Sequence, residues 1–141
     1  MKKIVYAMLT ALLLATAGCA VAPDQGLLDT NGESQLKLRQ IQTRYFETSD
    51  KQKTLECVIA TLQDLGFVID KASLDLGSVT ATKLSGYNLR MTVNVTPKGA
   101  TQMTVRANAQ YNAAPVEDPL PYQSFFNALS KSMFLQAHLE E

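Results

Sequence analysis

The sequence predicts an α+β domain built as a two-layer sandwich, with a mainly antiparallel sheet of about four to five strands and two helices on one face. Apolar and polar residues alternate strictly over 89–96 and 102–111, which is the period of strands with one face toward a core and one toward water. Apolar residues at three- and four-residue spacing mark amphipathic helices at 51–65 and 122–139, which need an apolar surface to cover. The expected order is β-α-β-β-β-β-α.

The first half of the domain carries clear boundary signals. A strand is expected at 41–48, and Asp50 is a candidate N-cap, since its carboxylate can accept from the free amides of a helix start. The following helix has its apolar stripe at Leu55, Val58, Ile59, Leu62 and Leu65. Gly66 is expected to end this helix, because glycine adopts positive φ without strain.

The second half predicts a sheet of short connections closed by a helix. A strand at 67–70 and a turn ending in Gly77 lead to a strand at 78–83, and the alternating stretches form a hairpin around 97–100. Residues 112–121, rich in proline and acid, predict a loop. The side chains expected to face the helices are Val79, Ala81, Lys83, Leu89, Met91, Val93, Val95, Met103, Val105, Ala107, Ala109 and Tyr111.

Residues 1–19 have the order of a secretory signal. Lys2 and Lys3 give a positive start, residues 4–17 are mostly apolar, and the small Gly18 precedes Cys19. The apolar run of about 14 residues is shorter than the roughly 20 that a membrane-spanning helix needs. We therefore expect residues 1–18 to be a cleaved signal peptide.

The segment Leu14-Ala15-Thr16-Ala17-Gly18-Cys19 resembles the lipobox of bacterial lipoproteins, although Thr16 stands where leucine is usual. The resemblance implies that the Cys19 sulfur carries a diacylglycerol and its amine a third acyl chain. Several acyl chains give stable membrane anchoring, whereas a single chain gives only marginal binding. Because Ala20 rather than aspartate follows, the resemblance implies anchoring in the periplasmic leaflet of the outer membrane.

After the anchor, residues 19–38 are expected to form a flexible tether, since Pro23 and several Gly, Asn and Asp residues occur there without periodicity. A single periplasmic domain is expected over 39–141. The sequence leaves open whether 35–40 extends the first strand or forms a separate turn of helix.

The charge balance excludes one class of partner. The chain has 13 basic and 13 acidic residues, so loss of Lys2 and Lys3 leaves the mature chain about two charges negative. A nucleic-acid-binding protein needs a basic face to neutralise phosphates. The expected partners are therefore the membrane, through the lipid anchor, and another envelope protein, with no nucleic acid.

Within the domain, Leu65-Gly66-Phe67-Val68-Ile69 follows the first helix and is succeeded by a glycine turn and a strand. This passage, with the order of elements over 41–139, resembles the BamC-like helix-grip domains of periplasmic lipoproteins. The resemblance implies a fold and a location in the envelope, and it implies no catalytic residues.

The sequence predicts no catalytic site, metal site or cofactor. His138 is the one histidine, and general-base catalysis would require an orienting acid and a nucleophile that the sequence does not indicate beside it. Asp64, Asp70 and Asp75 lack the dense spacing of a calcium loop and are interpreted as caps and turns.

Cys57 lies about 140° from the centre of the apolar stripe of its helix, which predicts either partial exposure or cover by the N-terminal segment. A disulfide with Cys19 is incompatible with lipidation of that sulfur. The preferred interpretation is therefore a thiol without a role, and an intermolecular disulfide is the alternative.

The solvent face of the sheet is the candidate interaction surface. It would carry short hydrogen-bonding side chains and two arginines, and an ordinary solvated face is the competing interpretation. Arg90 and Arg106 are expected to be central to any contact. The candidate residues are Arg90, Thr92, Asn94, Thr104, Arg106 and Asn108.

Two functions follow from these surfaces. The favoured one is a non-enzymatic, outer-membrane-anchored accessory or structural module of an envelope assembly, and the alternative is a binder of a lipid or small apolar ligand between helices and sheet. The candidate lining of that cavity is Met91, Met103, Phe125, Phe126 and Met133, although such residues also fill ordinary cores.

Overall fold

A computed structural model of the chain describes residues 25–84 and 88–139, without the side chains of 25–31, 33 and 136–139. The predicted signal peptide, the lipidation of Cys19 and the side chain of His138 therefore lie outside the described part. The residues from Glu33 onward form one compact unit, and Gln25–Gly32 belong to a separate one.

The structure is α+β, with three described helices and a six-stranded antiparallel sheet. The helices and strands are α1 (Gln25–Ile41), β1 (Thr43–Phe46), α2 (Lys51–Asp64), β2 (Val68–Ser73), β3 (Ser78–Leu84), β4 (Asn88–Lys98), β5 (Gln102–Tyr111), β6 (Ala114–Pro115) and α3 (Pro119–Leu139). The strand order is β1-β5-β4-β3-β2, and β6 also pairs with β5. The predicted fold class is confirmed, although the number of elements is larger than expected.

The core lies between one face of the sheet and the helices α2 and α3. All the predicted inward residues of β4 and β5 except Tyr111 are buried, together with Val79 and Ala81 of β3. Tyr122, Phe125, Phe126 and Leu129 of α3 complete this core with residues of α2. Since burial of such side chains is the main favourable term in folding, the alternating pattern of the hairpin and the two helical stripes determine the fold together.

The boundaries of α2 match their predicted chemistry. The Asp50 carboxylate accepts a hydrogen bond from the Lys53 amide at 2.9 Å, and Gly66 has φ of +82°. The amides of Gly66 and Phe67 donate to the carbonyls of Gln63 and Leu62, which is the Schellman arrangement. Lys83, predicted to point inward, caps the same helix end by donating from its ammonium to Leu65 O at 2.7 Å.

The helix α1 is an element that the sequence prediction lacked. Residues predicted to be an irregular tether are helical from Gln25, and the open question over 35–40 is resolved as helix. The prediction gave weight to the glycine, asparagine and aspartate residues near Gly32, whereas Leu36, Leu38 and Arg39 are strong helix formers. The first strand is correspondingly shorter than predicted and begins only at Thr43.

The strands also differ from prediction at two points. β2 continues to Ser73, beyond the predicted end at Asp70, and its register with β3 shifts between Ile69 and Lys71, which marks a β-bulge. Within the predicted loop 112–121, β6 pairs with the end of β5. None of the described helices is long and apolar enough to cross a bilayer.

Candidate functional site

The candidate residues on the solvent face of the sheet are brought together by the register of β3, β4 and β5. Asn94 lies opposite Arg106, and Thr92 lies opposite Asn108 in the β4–β5 pair. The surface continues onto β3, where the hydroxyls of Thr80 and Thr92 are 3.3 Å apart. We call this surface the polar face and define it by Thr80, Thr82, Arg90, Thr92, Asn94, Thr104, Arg106, Asn108 and Gln110.

Arg90 and Arg106 are both exposed on this face, while the Thr and Asn residues between them are half-buried. Arg106 is opposite Asn94, four residues along β4 from Arg90, so their Cα atoms are about 14 Å apart. Within the described part of the chain, neither guanidinium has a hydrogen-bond or ion-pair partner. The donors of both guanidinium groups are therefore exposed on the same surface.

Arg90 lies between two polar hollows. One, of about 250 Å³, is lined by Asn88, Arg90, Gln110, Asn112 and Ala113. The other, of about 370 Å³, is lined by Gln42, Arg90, Thr92, Asn108, Ala109, Gln110 and Pro115. Amide side chains both donate and accept hydrogen bonds, so the two hollows offer both kinds of group around one cation.

The acidic side chains near the polar face are already engaged. Asp70 accepts a hydrogen bond of 2.6 Å from the Thr82 hydroxyl, and Glu47 accepts one from the Gln102 amide. Lys98, at the end of β4, places its ammonium 3.4 Å from the centroid of the Tyr45 ring. The Thr82 and Gln102 donors are neutral, so both carboxylates keep their charge at the margins of a face whose centre carries the two arginines.

The rim of the first hollow is a strained turn. Asn112 and Ala113 join β5 to β6 with φ of +47° and +77°, in the left-handed region. Asparagine tolerates this region, whereas alanine is disfavoured there by about 1–2 kcal/mol. The strain is located at the edge of the candidate site, where such conformations commonly occur in proteins.

The five residues proposed to line an apolar cavity do not share one. Met91, Met103, Phe125 and Phe126 are buried in the core, where the rings of Phe125 and Phe126 pack edge to face at 5.1 Å. Met133 lines a groove at one end of the sandwich, and Met91 borders a different hollow beside Phe67 and Leu89. Four of these side chains therefore fill the core between α3 and the sheet.

Cys57 is buried rather than partly exposed, and α3 contacts its thiol, whereas the sequence had offered the N-terminal segment as a cover. Only 3% of the residue is exposed, because α3 packs against that side of α2, and the Cys57 side chain is hydrogen-bonded to Ser132 of α3. Burial raises the pKa of the thiol, while Ser132 and Lys53 oppose the shift. A buried thiol of raised pKa is a poor nucleophile, which disfavours an intermolecular disulfide.

Two further arrangements bear on chemistry. Within residues 25–84 and 88–139, no three histidine, cysteine or acidic side chains gather where a metal ion could be held. The buried side chain of Gln42, which the sequence did not single out, donates from Nε2 to the Tyr122 hydroxyl at 3.3 Å.

Sequence reasoning missed several residues of the site. Gln42, Asn88 and Asn112 border the hollows of Arg90 but lie in or beside turns, where alternation gives no facing direction. The signal for Asn88 and Asn112 was the register of the 97–100 hairpin, because extending it by one pair places these two residues opposite each other. No local pattern indicated Gln42. No model of a known protein family matches the chain, and no curated protein matches it either.

Proposed function

We propose that this chain is a non-enzymatic lipoprotein of the outer membrane, anchored through Cys19 in the periplasmic leaflet. On this proposal it serves as an accessory or structural module of an envelope assembly, and the polar face docks an acidic surface of another envelope protein. The module requires no cofactor. Its mature N-terminus supplies membrane attachment, and the sheet supplies recognition.

The observation that carries the proposal is the pair of exposed guanidinium groups of Arg90 and Arg106, to which none of the residues that the structure describes is hydrogen-bonded or ion-paired. An arginine fork matches a carboxylate in two parallel hydrogen bonds, which gives both strength and geometric selectivity. Arginine is also enriched among residues that dominate binding energy at protein interfaces. Two such groups about 14 Å apart on adjacent strands would fix the orientation of a partner as well as its charge.

The surroundings of the arginines support the same role. Thr92 and Asn108 lie between them as a cross-strand pair, and both are half-buried, so their positions are restrained before binding. Groups held in place by the sheet lose little conformational entropy when a partner is bound. The hollows beside Arg90 can admit a carboxylate side chain and surround it with amide donors.

The test is a charge-reversal experiment in the native envelope. Wild-type chain, the double variant Arg90→Glu/Arg106→Glu and the control Lys131→Glu, an exposed cation on α3, are crosslinked and purified with their lipid. We expect a stoichiometric envelope protein whose crosslinks join polar-face peptides to an acidic segment. Its yield should fall at least about tenfold in the double variant and stay unchanged in the control.

Two results would overturn the proposal. One is an undiminished yield of the same partner from the double variant, with its circular dichroism spectrum unchanged. The other is the absence of any stoichiometric protein crosslinked to the polar face. The anchor is tested separately by Cys19→Ser, which we expect to move the protein from the membrane to the soluble periplasmic fraction.

A further inference from the structure

The polar face contains three consecutive cross-strand pairs along β4 and β5, and we call them the ladder track. Arg90 lies opposite Gln110 at the first level, Thr92 opposite Asn108 at the middle level, and Asn94 opposite Arg106 at the last level. Every second residue of a strand points to the same face, so successive levels are about 7 Å apart. The register of the two strands therefore fixes the order in which an incoming chain meets these side chains.

The ladder track has a positive group at each end and neutral groups between them. Arg90 and Arg106 are exposed, and their Cα atoms are about 14 Å apart because they lie two levels apart on neighbouring strands. Thr92 and Asn108, at the middle level, are half-buried and uncharged. A complementary ligand therefore has two anionic groups with a hydrogen-bonding group midway between them.

The surface around Arg90 is recessed on both sides. Arg90 and Gln110 line both polar hollows, so this pair lies between the two. One hollow extends toward Asn112, and the other extends toward Thr92 and Asn108. A carboxylate at Arg90 can thus belong to a chain that continues in both directions, with amide side chains available to its backbone groups.

Two carboxylates limit the area over which an anionic chain can lie. Asp70 is on the β2 side of the face, where it accepts from the Thr82 hydroxyl. Glu47 is at the hairpin end of β5, where it accepts from the Gln102 amide. Carboxylates repel like charges, and this repulsion falls with distance. An anionic chain is therefore most stable over β4 and β5, between the two arginines.

The spacing of the two arginines decides between conformations of such a chain. In an extended chain every second side chain points to the same side, and residues four apart are separated by about 13–14 Å. In an α-helix, about nine residues span 14 Å, and the turn of about 100° per residue places the ninth on the opposite side. Residues seven or eleven apart share a helix face, but they are separated by about 10.5 or 16.5 Å. The ladder track therefore matches an extended chain better than a helix.

We propose that the partner contacts the polar face through an extended acidic segment with two carboxylate side chains four residues apart. One carboxylate pairs with Arg90 and the other with Arg106, each as a fork of two hydrogen bonds. The residue midway between them is polar and faces Thr92 and Asn108. This inference rests on the proposed function, and it adds the conformation and the charge spacing of the segment that binds.

The experiment measures binding of labelled peptides to the full chain in nanodiscs of zwitterionic lipid, at low ionic strength where exposed charges are least screened. Three peptides of Gly and Ser, blocked at both termini, carry two Glu residues that are three, four or five positions apart. Their composition and charge are identical, but odd separations place the two carboxylates on opposite sides of an extended chain. We expect the peptide with a separation of four to bind at least about fivefold more tightly than the other two.

Single variants test the two ends of the ladder track. Arg90→Gln and Arg106→Gln should each weaken binding of that peptide by about tenfold, and Lys131→Gln, at an exposed cation on α3, should leave it unchanged. Equal affinities of the three peptides would overturn the proposal, since charge alone would then explain binding. Tighter binding of tetragalacturonate would also overturn it, because the occupant would then be an acidic polysaccharide. If the envelope partner is lost from Arg90→Glu/Arg106→Glu while the three peptides bind alike, the docking surface stands and only the extended segment is wrong.

Discussion

The hydroxyl of Tyr122 completes the hydrogen bonding of the sheet at Ala109. It accepts from the Ala109 amide at 3.2 Å, at the point of β5 where pairing passes from β1 to β6. The same hydroxyl donates to Val116 O at 2.7 Å and accepts from Gln42. A side chain of α3 thereby joins three segments that no continuous strand connects.

Removing this hydroxyl should therefore cost more than one ordinary hydrogen bond. In Tyr122→Phe, a buried amide, a carbonyl and the Gln42 side chain each lose a partner, so we expect the free energy of unfolding to fall by about 1–3 kcal/mol. Urea denaturation followed by circular dichroism measures it. Tyr45→Phe, at an exposed ring, is the control and should change stability by less than about 0.5 kcal/mol; equal effects would refute the role given to Tyr122.

Gly77 and Gly99 share a left-handed backbone conformation but differ in the space available for a side chain. Both have φ of +66°, but a Cβ at Gly77 would lie 2.3 Å from Val95 O, whereas a Cβ at Gly99 would meet nothing within 4 Å. Gly99→Ala should cost about 1 kcal/mol of stability from its left-handed conformation alone. Gly77→Ala should cost at least about 3 kcal/mol because the β3–β4 contact must also move. A thermal unfolding series compares the two, and equal losses would contradict this explanation.

The strained turn at Ala113 offers a stabilising change. Ala113→Gly relieves an alanine held at φ of +77°, and we expect a gain of about 0.5–1 kcal/mol after the greater entropy of the unfolded glycine is subtracted. Ala114→Gly, next to it in β6, lacks positive φ and should lose about 0.5 kcal/mol. If both changes destabilise the protein alike in urea titrations, the turn is not strained.

The buried thiol of Cys57 should react slowly and only at high pH. Burial raises its pKa, so at any given pH a smaller fraction is thiolate in the folded protein than in the unfolded chain. We expect the folded state to need a higher pH than the urea-unfolded state for equal rates of alkylation by iodoacetamide. In Ser132→Ala the folded profile should move still higher, because Ser132 lowers this pKa. A folded profile at or below the unfolded one would disprove the assignment.

The sequence predicts best those parts of the fold in which apolar and polar side chains recur at a regular period. Alternation over β4 and β5 gave both faces of the sheet, because residues such as Val93 and Asn94 must point to opposite sides. The N-cap at Asp50 and the terminating Gly66 of α2 could also be predicted, because each depends on one local interaction. The polar face followed directly from this pattern.

The remainder depended on contacts between distant segments. The burial of Cys57 is produced by α3, which lies beside α2 although it is far away in sequence. β6 is too short to show a period, and Val116, the residue that follows it, is held by the Tyr122 hydroxyl of α3. The groove lined by Phe46, Cys57 and Met133 combines β1 with two helices, so no local sequence pattern predicts it.

The bulge at Asp70 restricts how this sheet can be used. Among the strands that the structure describes, β3 is the only neighbour of β2, so the other edge of β2 carries backbone groups that a foreign strand could pair with. The irregular register between Ile69 and Lys71, together with the charges of Asp70 and Lys71, makes this edge a poor template for such pairing. At the opposite edge β1 offers only four residues. Strand-by-strand growth into fibres is thus discouraged at both edges of the sheet.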